Sequence, residues 1–480
     1  MTAPTFFWHD YETFGADPRR DRAAQFAGIR TDDALEPVGE PVTAYCRLPD
    51  DVLPHPDAVL LTGITPQYGA AHGVAEPEFA AIVSDALGAP GTCGAGWNSI
   101  RFDDEFTRNI LYRNFHDPYA REWEHGNCRW DLIDVARLCY ALRPGGIEWP
   151  SREDGTPSFR LGDLASANGL AHERAHDALS DVEATLGLAR RLRGAQRKLY
   201  DWSLTLRNKR RVLALLDVVQ RTPVLHASSR IAASRGCVAI VMPLALLPDQ
   251  ANAVVVYDLD ADPTDLLALD ADAIRERVFV PRGDLPEGVE RIPLKVVRAN
   301  RCPALAPLST LAGVNLGRIA LDPDRAQVHA ERLRRDSDIA AKVMRVFARE
   351  PNETPTEDPE LAIYAGAFLS DGDRALLPKV RGASPVELAQ GFPFCDPRYT
   401  ELLFRYRARN HPETLDADER ERWQRFRSRR LTREDGLAGI TLAQYRDVIA
   451  TRRATATATE QALLDALEAW GNDMAASLDA

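Results

Sequence analysis

The sequence lacks a long hydrophobic run, a cysteine pair spaced for metal, and an overall surplus of positive charge. Its longest apolar stretch, CVAIVMPLALL, falls short of the ~20 residues a membrane-spanning helix requires. No basic segment followed by an apolar run stands at the amino terminus, so neither a span nor a secretory leader is expected, and the chain reads as a cytoplasmic protein with no membrane partner. Cysteine is scarce: seven residues, an odd number, run from Cys46 to Cys395 without a C-x-x-C. That usage argues against a disulfide framework and against a thiolate zinc site, leaving reduced thiols. The formal net charge of -12 counts against a phosphate-binding surface spread over the whole molecule.

What remains is an ordinary globular composition, 45% apolar and 27% charged over 480 residues, enough for roughly three domains with their own cores. No internal repeat is visible. Up to about residue 195 the pattern is α/β. TFFWHDYETF and QFAGIRT alternate as strands around the polar turn GADPRRDR, and PVTAYCRL makes a third. FDDEFTRNILYRNF, WDLIDVARLCYAL, RLGDLASANGL and HDALSDVEATLGLARRL then carry apolar residues at three and four spacing, as amphipathic helices do. SREDGTPS reads as a loop. Residues 196–351 contain short β-branched runs, CVAIVMPL, NAVVVYDLD and IPLKVVRA, broken by Pro, Asp and Asn, which predict a small β-rich domain. Residues 352–480 read as helical, including ELAIYAGAFLS, YTELLFRYRAR and TATEQALLDALEAW. The expected domains are therefore 1–195, 196–351 and 352–480.

Charge is unevenly placed. Residues 401–430 hold nine arginines against six acids, a net of +3, with aromatics interleaved. That mixture suits a groove in which guanidinium groups meet phosphates and rings stack on bases; a solvated helix face would look the same.

Near the amino terminus HDYETFG sets Asp10 and Glu12 two apart on a predicted strand, so both project from one face. Buried like charges repel unless a proton or a cation neutralises them, which points to a divalent metal. The triplet alone is unspecific, since D-x-E recurs from Asp103, Asp181 and Asp358. GWNSIRFDDEFTRN turns into a helix at Asp103, where the helix dipole favours an anion; a capping acid would sit there too. In AHDALSDVEATLGLARRL, His176 stands just ahead of a helix and Asp181 about one turn along it, close enough to share a site. The same H-x4-D spacing follows His172 and His411, so it too is weak alone.

In this order, D-x-E on the first strand, N-x-x-x-F-D opening a middle helix and H-x-A-x-x-D opening a late one, the chain resembles the histidine-containing branch of the DEDD exonuclease superfamily. HDYETFGADPRRDRAAQFAGIRTD, LLTGITPQ, RFDDEFTRNILYRNFHDPYA, RWDLIDVARLCYALRPGGIEWP, SFRLGDLASANG and LLFRYRARNHPETL extend the resemblance to the bacterial exonuclease I family over nearly the full length. The resemblance implies a ribonuclease H-like nuclease domain, then an SH3-like β domain, then an all-α carboxyl-terminal domain.

It implies further that Asp10, Glu12, Asp103 and Asp181 hold two Mg2+ ions, with Mn2+ able to substitute, and that His176 is the general base. Two ions about 4 Å apart compensate charge on both the attacking and leaving oxygens of a phosphodiester, and a histidine with an ordinary pKa of roughly 6.5 suits proton transfer near neutrality. Arg160 would contact the substrate phosphate through its forked donors. Leu61 and Thr62, in LTGIT, would meet the terminal nucleotides, and Glu12, Thr13 and Phe102 would line the same pocket. A surface salt bridge, a plain turn and core packing are the respective alternatives for Arg160, LTGIT and Phe102. Arg108, Arg113, Tyr406, Arg407 and Arg409 are the candidates for holding the strand, and Arg143 for the acidic tail of single-stranded DNA-binding protein.

The implied activity is processive 3′-to-5′ hydrolysis of single-stranded DNA to 5′-mononucleotides in repair and recombination, by a monomer. Two alternatives stand: a related 3′-5′ exoribonuclease, and a single-strand clamp whose catalytic site is vestigial.

Overall fold

The computed structural model of the chain describes residues 4–170, 176–348, 358–365 and 368–478. The chain forms two compact units, each assembled from separated stretches. One comprises Met1–Cys128, Glu173–Glu183 and Thr354–Ala480; the other comprises Arg129–His172 and Ala184–Glu353.

In the first unit β1 (Thr5–Thr13), β2 (Ala23–Thr31) and β3 (Val42–Tyr45) run antiparallel in succession, and β4 (Thr92–Gly96) lies parallel to β1 on its other side. A parallel neighbour needs a crossover, and helices Pro56–Thr62, Pro66–His72 and Glu76–Gly88 lie in the connection from β3. The period of two decides which face each side chain takes. Phe7 and Tyr11 join Phe26, Phe79, Phe106 and Ile110 in a buried cluster that carries helices Glu76–Gly88 and Asp103–Arg113. Asp10 and Glu12 project from the opposite face, as the alternation requires. β1 and β2 pair in unbroken register from Phe6 opposite Thr31 to Glu12 opposite Gln25, and a bulge follows between Glu12 and Thr13.

β4, TCGAG, is not among the strands expected from the sequence, because its glycines and small residues give no apolar–polar alternation. In the strand they permit close approach: a Cβ on Gly96 would lie 2.8 Å from the His9 carbonyl oxygen, a role glycine often has inside strands.

The carboxyl-terminal helices of this unit share cores with its amino-terminal stretch. Phe14, Ala24, Val52, Leu53 and Val59 are buried against Leu431, Ile440, Tyr445, Leu464 and Leu467, and Tyr112 and Phe115 against Leu377, Leu402 and Leu403. The helices expected at YTELLFRYRAR and TATEQALLDALEAW are present as Pro397–Asn410 and Ala458–Ala476. ELAIYAGAFLS does not form the expected α-helix in its described part. Pro359–Leu361 is a single 3-10 turn followed by irregular chain, and it delivers Glu360 into a buried ionic network.

The second unit holds an antiparallel sheet of β6 (Val224–Ala227), β7 (Val238–Leu246), β8 (Ala253–Asp258), β9 (Leu294–Arg298) and β10 (Ala304–Pro307), in the order β10-β6-β7-β8-β9. β5 (Cys128–Asp131) lies where the chain passes from one unit to the other. Pro243, inside β7, is accommodated at a bulge between Pro243 and Ala245, the position at which a strand tolerates a missing N–H. β6 and β10, VLHA and ALAP, are too short to show alternation. No helix among the described residues is long and apolar enough to cross a membrane.

Candidate metal centre and nucleic-acid interface

The acids from three separate segments meet in the first unit. Asp10 and Glu12 come from β1; Asp103 opens helix Asp103–Arg113; Asp181 lies in the first turn of helix Ala178–Ala195. Asp103 does not cap its own helix: its Oδ1 accepts the backbone N–H of Tyr11 at 3.2 Å, which draws the carboxylate to the strand between Asp10 and Glu12. The Tyr11 hydroxyl meets Thr107 Oγ1 at 2.9 Å, and that hydroxyl donates to the Asp103 carbonyl at 2.9 Å, so the start of the helix is pinned to β1 twice. The neighbouring Asp104 is directed elsewhere, into a buried ion pair with Arg121 at 2.5 Å.

Electrostatics record the convergence. Burial, then Asp103, Asp181 and Glu12 in that order, push the Asp10 carboxyl well above its ordinary value. Burial, with Asp181 and Asp177 adding, raises Glu12 to about 8. Four acids so placed cannot all be ionised without a cation. Ligand atoms of Glu12, His176 and Asp181 lie within 4.8 Å of one another, with Glu12 buried, Asp181 half-buried and His176 exposed. The donor set is oxygen-rich and free of thiolate, which suits a hard divalent cation. His176 occupies the left-handed region, φ 65°, at the last position before Asp177, which caps the helix: Asp177 Oδ1 accepts from Ser180 N–H at 3.1 Å.

The remaining site candidates divide. Thr13 is buried and donates to the Gly15 carbonyl at 2.7 Å. Phe102 packs on Phe106 with ring centroids 5.0 Å apart and stays partly exposed. Leu61 and Thr62 end helix Pro56–Thr62; Gly63, at φ 72°, turns the chain, and Thr65 caps the next helix. Leu61 is 58% exposed, an unusual place for a leucine and one available to a ligand. Arg160 belongs to the second unit, where it is exposed and precedes helix Leu161–Ala167.

The arginines expected to hold the strand, Arg108, Arg113, Arg407 and Arg409, are instead each paired with an acid of the protein itself. Arg409, its side chain 8% exposed, is bidentate to Asp51 at 3.0 and 2.7 Å and 2.5 Å from Glu360. Arg430 bridges the same two acids at 2.9 Å each, and Arg22 reaches Glu360 at 3.3 Å. Burial pushes the Asp51 carboxyl up, but Arg409 and Arg430 more than reverse this and hold it below the usual carboxylate range. Arg407 forks onto Glu419 at 2.8 and 3.0 Å. Tyr406 packs edge-on against Phe115 at 5.4 Å. Arg108 is engaged by Glu122 at 2.7 and 2.9 Å and Glu105 at 3.0 Å, and Arg113 by Glu76 at 2.7 Å.

The interleaving of arginine and aromatics in residues 401–430 is a staple between helices. Arg405 lies 4.0 Å over Phe426 and Arg422 4.1 Å over Phe404, in cation–π geometry. The acids that balance the network, Asp51 and Glu360, are remote in sequence, so a local charge count missed them.

Arg143, in the second unit, donates to the carbonyl oxygens of Leu142 at 2.6 Å, Thr310 at 3.0 Å and Ala312 at 3.3 Å, none of which neutralises its charge. With Arg197, Lys198, Leu199, Trp202 and Pro307 it lines a cavity of ≈ 510 Å³. Trp202 was not singled out from the sequence; nothing in its neighbourhood marks it.

Family comparisons agree with this arrangement. Residues 7–189 match the Exonuclease model, 207–349 the Exonuclease I SH3-like domain and 357–474 the Exonuclease I C-terminal domain. The chain is 46% identical over 431 residues to Exodeoxyribonuclease I of Escherichia coli (strain K12), 90% of each chain being covered. Among solved structures, E. coli Exonuclease I in complex with a dA16 oligonucleotide superposes with a TM-score of 0.94 at 43% identity, covering 98% of this chain and 100% of that one. The zinc-ion-bound form of the E. coli enzyme with single-stranded DNA gives 0.93 over the same coverage, also at 43% identity. Three matched segments in the family's order, together with this identity over most of the chain, make it a member of the Exonuclease I family.

Proposed function

We propose that the chain is a single-strand-specific exodeoxyribonuclease that releases 5′-mononucleotides from the 3′ end by two-metal-ion hydrolysis. The observation that carries this reading is the cluster of Asp10, Glu12, Asp103 and Asp181 beside His176. The four carboxylates would hold two Mg2+ ions, and Mn2+ in their place. When bound, the ions supply charge compensation at the phosphodiester oxygens and acidify a water. His176, exposed at the mouth of the cluster, takes the proton of the attacking water. Tyr11 N–H and the Thr107 contact keep Asp103 aimed at β1, and the exposed Leu61 with Phe102 supplies apolar surface for the terminal base. Arg160 is retained as the candidate phosphate contact.

The cationic cavity around Arg143 fits a short acidic peptide with an apolar terminus: guanidinium and ammonium groups for the carboxylates, Trp202 and Leu199 for the side chain. That chemistry supports docking of the single-stranded DNA-binding protein tail. The domain limits proposed are 1–195, 196–351 and 352–480, and the working form a cytoplasmic monomer.

The test is a single-stranded oligonucleotide labelled separately at each end, as DNA and as RNA of the same sequence, incubated with Mg2+. The expected result is immediate mononucleotide release of the 3′ label, with the 5′ label shortening progressively and DNA turned over faster. Faster RNA turnover would move the assignment to an exoribonuclease, and binding without cleavage to a clamp.

A further inference from the structure

Gln25 has no part in the cluster as read from the sequence, yet it stands directly opposite Glu12 in the β1–β2 register, on the same face as the metal-ligand candidates. It is 1% exposed. Its Oε1 accepts the backbone N–H of Ala178 at 3.1 Å, and its Nε2 donates to Asp177 Oδ2 at 3.4 Å and to the Tyr45 hydroxyl at 3.2 Å. The amide therefore grips the first turn of helix Ala178–Ala195 at two points. Ala178 N–H is one of the donors a helix start leaves without an intrahelical partner, and Asp177 is the residue that caps that helix.

Immediately before the grip stands His176, and one turn after it Asp181. We propose that Gln25 is a positioning residue: it joins the strand pair bearing Asp10 and Glu12 to the helix start bearing His176 and Asp181, and so sets the distance between the two halves of the cluster. A glutamine is needed because the task requires an acceptor and two donors on one planar group. A leucine would leave Ala178 N–H buried without a partner, and a glutamate would set a second carboxylate against Asp177. The left-handed backbone at His176 gives the grip a further use, since that residue has no helix of its own to hold it.

This inference rests on the proposed two-metal reading. The experiment compares wild type with Gln25→Leu and Gln25→Glu. Steady-state hydrolysis of an oligo-dT is measured in Mg2+, and Mn2+ binding to the DNA-free protein by calorimetry. Misplacement of a reacting group by about 1 Å costs ~100-fold, and loss of an outer partner of a ligand typically weakens metal binding 10- to 100-fold. The expected result for Gln25→Leu is a kcat lower by about 100-fold, KM for DNA within about twofold, and Mn2+ affinity weaker by at least about 10-fold. Gln25→Glu keeps the acceptor for Ala178 but loses both donors, and should show the same pattern should the leucine variant fail to fold.

A folded variant with wild-type kcat and Mn2+ affinity would overturn the inference, as would a rise in KM alone. The metal-binding arm separates it from its premise. Wild type that hydrolyses no DNA would sink the proposed function, while weaker Mn2+ binding in the variants would still support the positioning role.

Discussion

Replacing Glu12 by glutamine should stabilise the metal-free protein, and the gain should grow with pH. The Glu12 carboxyl is held at about 8 in the folded chain, from an ordinary 4.5, by burial first and then by Asp181 and Asp177. Below pH 4.5 the group is protonated in both states and contributes its full share of stability. Between 4.5 and 8 the unfolded chain is ionised while the folded one holds its proton, so stability falls with rising pH by up to ~1.4 kcal/mol per unit. Above 8 the loss is complete.

The full shift would amount to ~5 kcal/mol; relaxation around the buried carboxyl and the higher effective dielectric of real protein interiors reduce this to about 2–3 kcal/mol. At ~2–4 °C per kcal/mol for a unit of this size, Glu12→Gln should melt roughly 5–10 °C higher than wild type at pH 8.5 in EDTA and level with it at pH 4.5. Circular dichroism melts at four pH values provide the assay. Saturating Mn2+ should reverse the order, because wild type then gains the binding energy of the ions. Parallel pH profiles for the two proteins in EDTA would refute the reasoning.

Other outcomes follow from the same geometry. Asp10→Asn should lower hydrolysis by at least ~1,000-fold, with single-strand binding in EDTA retained within a few-fold; wild-type turnover would remove Asp10 from the mechanism. His176→Ala should cost ~100- to 10,000-fold in kcat with calorimetric Mn2+ affinity preserved, and a collapse of affinity would reassign it as a ligand. Arg409→Met takes one cation from the buried network and leaves Arg430 as the remaining partner of Asp51, shared with Glu360, so denaturant melts should show a loss of up to ~3–5 kcal/mol. The salt slope of DNA binding should stay as in wild type; a slope reduced by about one would return Arg409 to the strand path. Arg143→Ala should weaken an acidic carboxyl-terminal peptide by about 10-fold or more in fluorescence anisotropy, since charge-assisted hydrogen bonds are the stronger kind, and unchanged affinity would empty that cavity of its assigned partner.

The parts legible in the sequence were those with local periodicity. β1 and β2 announce themselves by alternation, and Asp10 with Glu12 share a face for that reason alone; the helices opening at Asp103 and Ala178 follow from three-four spacing. What stayed hidden depended on partners far away in the chain. β4 is made of glycines and small residues without apolar–polar alternation, and only the fold lays another backbone 2.8 Å from where a Cβ would be. Arg407 and Arg409 looked like groove residues because Glu419, Asp51 and Glu360 cannot be assigned to them without the fold. Gln25 carries no motif, and its use appears only in the register that sets it opposite Glu12.

Anomalous diffraction from crystals soaked in Mn2+ with a short oligo-dT tests the central claim most directly. The expected result is two peaks about 4 Å apart, ligated by Asp10, Glu12, Asp103 and Asp181. Strong peaks elsewhere, or none at these carboxylates under conditions where the protein degrades DNA, would contradict it.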